Sequence, residues 1–161
     1  MTEDQPVDNR PAWLIKVQAA GTQPEDIEID GTIYRYTIVK SGLAPGLPYA
    51  VGYPMDTALM ISEDVPPENR PYVLFHEVRE KKRFSNLPQE DRCKASLQLE
   101  LEDLQREHPE RYFDYIRERR SFFDALKELY DQPDQAQAVS PQFIEGIQAS
   151  RDYLHAISSG Q

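Results

Sequence analysis

A single cysteine, Cys93, and three histidines are all that 161 residues offer of the side chains that most often build disulfides and transition-metal sites. One thiol excludes an internal disulfide and every cysteine-rich zinc module. His76, His108 and His155 leave little room for a multi-histidine centre. The seven glycines never cluster ahead of a helical pattern, so there is no phosphate-cradling loop. Positive charge is also short: 18 Lys and Arg stand against 28 Asp and Glu, a formal charge of −10. That balance argues against a nucleic-acid backbone or an anionic membrane as partner. No apolar run approaches the roughly 20 residues that span a bilayer. The opening stretch MTEDQPVDNR is acidic and polar and does not read as a signal peptide. The expectation is a soluble, cytoplasmic protein, and a chain of about 150 residues buries roughly 70% of its extended surface without outside help.

Periodicity and punctuation organise what is present. Residues 1–10 read as a flexible tail, 11–130 as one α+β domain, 131–140 (with DQPDQAQAV) as a polar linker and 141–161 as a C-terminal helix. Pro11 suits the first turn of a short helix over Ala12–Ala20 with Gly21 as its stop, and a strand over Trp13–Val17 competes with it. Asp30-Gly31 between two β-rich runs predicts a hairpin, with Tyr34, Tyr36 and Ile38 on one face and Ile33, Arg35, Thr37 and Val39 on the other. Prolines and glycines exclude helix from Ser41 into the fifties, leaving a covering loop and a short strand over Thr57–Ser62. Pro71, Pro88, Pro109 and Ser140-Pro141 then open four helices, ending near Phe84, Glu107, Tyr130 and Gly160. The architecture expected is an N-terminal hairpin or meander followed by a mostly helical body.

Apolar spacing assigns the core. Tyr112, Phe113, Ile116, Phe123, Leu126 and Tyr130 recur at helical intervals, and so do Cys93, Leu97, Leu101 and Leu104. Phe143, Ile147, Leu154 and Ile157 line the last helix, which would dock either on its own domain or on a partner. The basic runs Arg79, Lys81, Lys82, Arg83 and Arg117, Arg119, Arg120 alternate with acids and read as solvated faces.

One segment carries chemistry. In Tyr72-Val73-Leu74-Phe75-His76-Glu77-Val78-Arg79-Glu80, His76 and Glu80 are four apart and share a helix face, within reach of one ion. Glu77 lies about 100° round the helix, placed to take a proton from a metal-bound water. Glu100 falls on the Cys93 stripe of the following helix, where a carboxylate needs a partner. If the two helices form an antiparallel hairpin, His76, Glu80, Glu100 and Cys93 meet. The plain alternative is a core histidine bonded to one carboxylate, with Glu77 and Lys81 as a surface pair.

The order of strand, proline-bearing link, helix with His-Glu and second helix with Glu resembles the minimal core of zincin metallopeptidases of the glutamate-ligand, gluzincin-like kind. MISEDVPPENRPYVLFHEVRE is also similar to small prokaryotic zincin-like proteins that carry His-Glu-x-x-Glu. The resemblance spans about Thr57–Glu107. It implies zinc held by His76, Glu80 and Glu100 with Glu77 as general base; Cys93, a weaker candidate, is added by the helical spacing and not by the resemblance. Active members carry a second histidine where this chain has Glu80. Two functions follow. The first is a non-catalytic zincin-like scaffold without cofactor that binds a protein partner through Tyr49, Tyr53, Phe143, Ile147 and Leu154, or pairs as a homodimer through its last helix. The second is a small zinc-dependent, peptidase-like hydrolase.

Overall fold

The computed structural model describes residues 24–40, 50–52 and 59–159, together with Ala19 and Gly21. The expected tail, nearly all of the expected helix over Ala12–Ala20 and most of the Ser41–Ser62 segment, including Tyr49 and Tyr53, lie outside these residues.

Four strands form one sheet in the order β1-β2-β4-β3: β1 Glu25–Ile29, β2 Thr32–Val39, β3 Ala50–Gly52 and β4 Leu59–Ser62. The hairpin is as the sequence predicts. Ile29 pairs with Thr32 across Asp30 (φ 50°) and Gly31 (φ 85°), the double left-handed turn whose twist matches that of the strands. β4 then pairs with β2 in parallel, and β3 closes the other edge antiparallel to β4. The parallel pairing and β3 carry no sequence signature of their own. β4, LMIS, is buried on both faces, so it reads as a continuous apolar run rather than an alternating one.

The helical body comprises α1 Arg70–Lys81, α2 Gln89–Glu107, α3 Tyr112–Tyr130, the single turn α4 Pro133–Ala136 and α5 Pro141–Ser159. Prolines open several of these elements because the first turn needs no amide donor. Short 3₁₀ turns at Pro67–Asn69 and Pro109–Arg111 lead into α1 and α3. Ser140 caps α5, its Oγ accepting from the Phe143 amide at 3.2 Å and donating to Gln89 Oε1 at 3.0 Å. The α+β architecture holds.

α1 is the central layer. Val73, Leu74 and Val78 pack with Ile29, Leu59, Ile61, Tyr34, Tyr36 and Ile38 of the sheet. Tyr72 joins Leu97, Leu101, Leu104, Tyr115, Ile116, Phe123, Ile147 and Leu154 in the helical core, and Phe75 touches both sets. Two expectations are corrected. Ile147 and Leu154 are buried against α2 and α3, and Phe143 stacks edge-on against Tyr130 at 5.5 Å, so the apolar stripe of α5 is spent inside the chain. Phe113, assigned to the core by spacing, is 53% exposed. It sits one residue off the stripe that Tyr112, Tyr115 and Ile116 define, and leans on Tyr112 instead.

Candidate functional site

His76 lies midway along α1 on the face turned to α2. Tyr72 donates to Glu107 at 3.0 Å, and one turn later His76 meets Glu100 and Cys93, the falling order of an antiparallel pair. Ser96 ties the helices together by donating to the His76 carbonyl at 2.7 Å. The imidazole is thereby fixed, 2% exposed, with a different neighbour on each nitrogen.

On one side, Nδ1 is 2.9 Å from Glu100 Oε1. Glu100 is fully buried and deeply committed: Arg119 Nε lies 2.9 Å from its Oε2, an Arg119 terminal nitrogen lies 3.3 Å from Oε1, and the Tyr115 hydroxyl donates to Oε2. The Nδ1 and Nε contacts lie off the hydrogen-bond axis, so their attraction is mainly Coulombic. The Arg119 guanidinium is further cushioned on Phe122 and Phe123, 5.0 and 5.2 Å from the ring centres. On the other side, Nε2 is 3.2 Å from Glu80 Oε2 and 3.6 Å from Cys93 Sγ. These three donors converge within 4.8 Å of one another. Glu80, with its side chain 24% exposed, is the solvent-facing member.

The electrostatics follow from burial and these partners. Burial would raise the Glu100 carboxyl, but Arg119, His76 and Tyr115 outweigh it and hold it below the usual carboxylate range. Burial opposes a charged His76 ring; Cys93 together with the Glu100 and Glu80 carboxylates more than offsets this, and its pKa stands well above the ordinary histidine value. Burial, reinforced by Glu80, raises the Cys93 thiol. The half-buried Glu77 carboxyl is likewise raised by burial and by the charge of Glu80.

His76, Glu80, Glu100 and Cys93 therefore come together, but not around one point. Glu100 takes one ring nitrogen, and Glu80 and Cys93 take the other. Two participants were missed in the sequence, where Arg79 and Arg119 read as solvated. Arg119 is buried against Glu100, while Arg79 grips both Asp30 oxygens at 3.1 Å and Asp103 at 2.6 Å, joining the hairpin turn to α1 and α2. Helical phase held the signal. Arg119 is three after Ile116 and four before Phe123, and Arg79 is seven after Tyr72, all core positions.

Two clefts, one of 320 Å³ beside Asn69, Arg111 and Glu118 and one of 440 Å³ between the hairpin turn and the end of α1, are lined by none of His76, Glu77, Glu80, Cys93 or Glu100. Among the described residues no helix is long and apolar enough to cross a membrane. Comparison with protein-family models, curated proteins and solved structures finds no match to this chain.

Proposed function

We propose that this protein is a non-catalytic, zincin-like scaffold that serves as an acidic accessory or regulatory partner of another protein. One observation carries the reading: the Glu100 carboxylate is neutralised by the buried Arg119 guanidinium. The resemblance asks His76, Glu80 and Glu100 to share one ion, and that set does not fit. Glu80 and Glu100 face opposite ring nitrogens, whose lone pairs diverge. A dication at Glu100 would also have to displace or tolerate a buried cation, at a Coulombic cost that the low-dielectric interior magnifies. The partner chemistry follows from charge. The exposed β1 carboxylates are Glu25, which accepts from Tyr36, Asp26, which lies 3.5 Å from Arg35, and Glu28; with Ile33, 69% exposed and paired with Glu28 on β2, they make a predominantly acidic edge with an apolar contact, suited to a basic surface.

A hydrolase remains the second reading, favoured by the raised Glu77 carboxyl one residue beyond His76, since a base poised nearer neutrality is the more effective proton acceptor. The deciding experiment incubates the untagged full chain, with and without added zinc, with unfolded casein and with fluorogenic peptide mixtures. The scaffold reading expects no cleavage above that of a Glu77→Gln control. Zinc-dependent cleavage that Glu77→Gln abolishes overturns it.

A further inference from the structure

We propose that His76 Nε2, Glu80 and Cys93 form a binding site for a thiophilic divalent cation of the zinc class, with Glu100 positioning the histidine from its other nitrogen. The site goes beyond the scaffold reading and differs from the ligand set of the resemblance, because Cys93 stands in it and Glu100 does not.

Spacing is the first argument. Zinc bonds of about 2.0–2.1 Å to nitrogen or carboxylate oxygen and about 2.3 Å to sulfur, at the tetrahedral angle, imply ligand separations of about 3.3–3.4 Å for N···O and about 3.6 Å for N···S. His76 Nε2 is 3.2 Å from Glu80 Oε2 and 3.6 Å from Cys93 Sγ. Two edges of a zinc tetrahedron are therefore already set by packing. The rest of the fold supports that placement. α5 packs beside Cys93 at ordinary van der Waals distance, a Cβ at Gly146 lying 3.7 Å from the Cys93 Cβ.

Charge is the second argument. A thiolate and the Glu80 carboxylate neutralise a dication, and coordination removes the proton from a thiol outright. Glu100 brings its own cation, Arg119, and adds no net charge to the site. The third argument is the supporting shell. Glu100 lies 2.9 Å from Nδ1, off the hydrogen-bond axis, and its charge favours a proton on that nitrogen; an ion at Nε2 would take the place of the other ring proton, with the carboxylate behind the histidine as at many zinc sites. Glu80 opens to solvent and supplies the path of entry, while three protein donors leave a fourth position for water.

The test uses the untagged full chain, titrated with zinc chloride against a chromogenic chelator and, separately, with cobalt(II) followed by absorption. One zinc per chain is expected, and cobalt should show a near-ultraviolet thiolate-to-metal charge-transfer band that Cys93→Ser abolishes. Cys93→Ala and Glu80→Gln should weaken zinc by more than about 100-fold, and Glu100→Gln, acting at one remove, by about 10- to 100-fold. A circular-dichroism melt confirms that each variant is folded. If Cys93→Ala does not fold, the cobalt band of the unaltered chain and its loss in Cys93→Ser decide the matter. The proposal is overturned by absence of zinc binding, by cobalt bound without a thiolate band, or by zinc affinity that depends on Glu100 and not on Cys93. Cleavage of peptides by the zinc-loaded chain would overturn the scaffold reading and leave this site standing.

Discussion

Replacing Arg119 with methionine, which keeps most of the volume and removes the charge, isolates the ion pair on which the scaffold reading stands. Glu100 is fully buried, and Arg119 supplies it with contacts of 2.9 and 3.3 Å. Stranding one partner of a buried pair costs about 3–5 kcal/mol. The Tyr115 hydroxyl and the His76 ring remain on the carboxylate, which places the electrostatic loss near the lower end of that range. Lost contact with the Phe122 and Phe123 faces adds about 0.5–1 kcal/mol. For a chain of this size, about 2–4 °C per kcal/mol converts a total of about 3.5–4 kcal/mol into a fall in Tm of about 7–16 °C. Urea unfolding of Arg119→Met, Glu100→Gln and the double variant closes a double-mutant cycle. The double variant should recover about 2 kcal/mol relative to the sum of the singles, because a buried pair removed whole leaves no bare charge. A loss below about 1 kcal/mol in Arg119→Met, or strict additivity, would refute the claim that Arg119 neutralises Glu100.

Other regions make independent predictions. Ser140→Ala removes the α5 cap and should cost about 1 kcal/mol in urea unfolding, with a smaller loss for Ser140→Gly. A Cβ at Gly21 would overlap Thr37 Cγ2 and lie 2.9 Å from the Ile38 carbonyl oxygen, so Gly21→Ala should destabilise by about 1–3 kcal/mol, and an unchanged Tm would contradict that close approach. Burial would raise the Asp124 carboxyl, but His155 and Arg151, both 2.7 Å from Oδ1, hold it below its usual value. A carboxyl with a folded pKa below its unfolded one stabilises above the unfolded value and loses that contribution as pH falls through the folded one. Asp124→Asn should therefore narrow the difference in stability between neutral and strongly acidic pH. The change should stay under about 1 kcal/mol, since the side chain is 38% exposed and screened. A carboxyl titration of Asp124 followed by NMR checks the direction directly.

Local chemistry and tertiary packing divided the work unevenly. The Asp-Gly hairpin, the proline-opened helices and the Ser140 cap are short-range events, each decided by a few dihedrals and one or two hydrogen bonds, and all could be read along the chain. The meeting of His76 with Glu80 is likewise a property of one helix, four residues apart. The parallel β2–β4 pairing joins strands separated by residues 40–58, and no periodicity within either strand encodes its neighbour.

The same limit governed the charged residues. Alternation of Arg with Glu describes composition along the chain, whereas burial depends on which helix face another helix covers. Arg79 and Arg119 consequently read as solvent-facing, yet each sits between elements, bonded to carboxylates from distant positions. Glu100 shows the distinction most sharply. The sequence by itself determined that a carboxylate would fall on the inner stripe of α2 and would need a partner there. Only the tertiary structure decided that Arg119 would be that partner, that the contact with His76 would be through Nδ1, and that Nε2 would be left to Glu80 and Cys93. The physical reason is that helical phase fixes which residues share a face, while crossing geometry and side-chain reach fix which atoms meet.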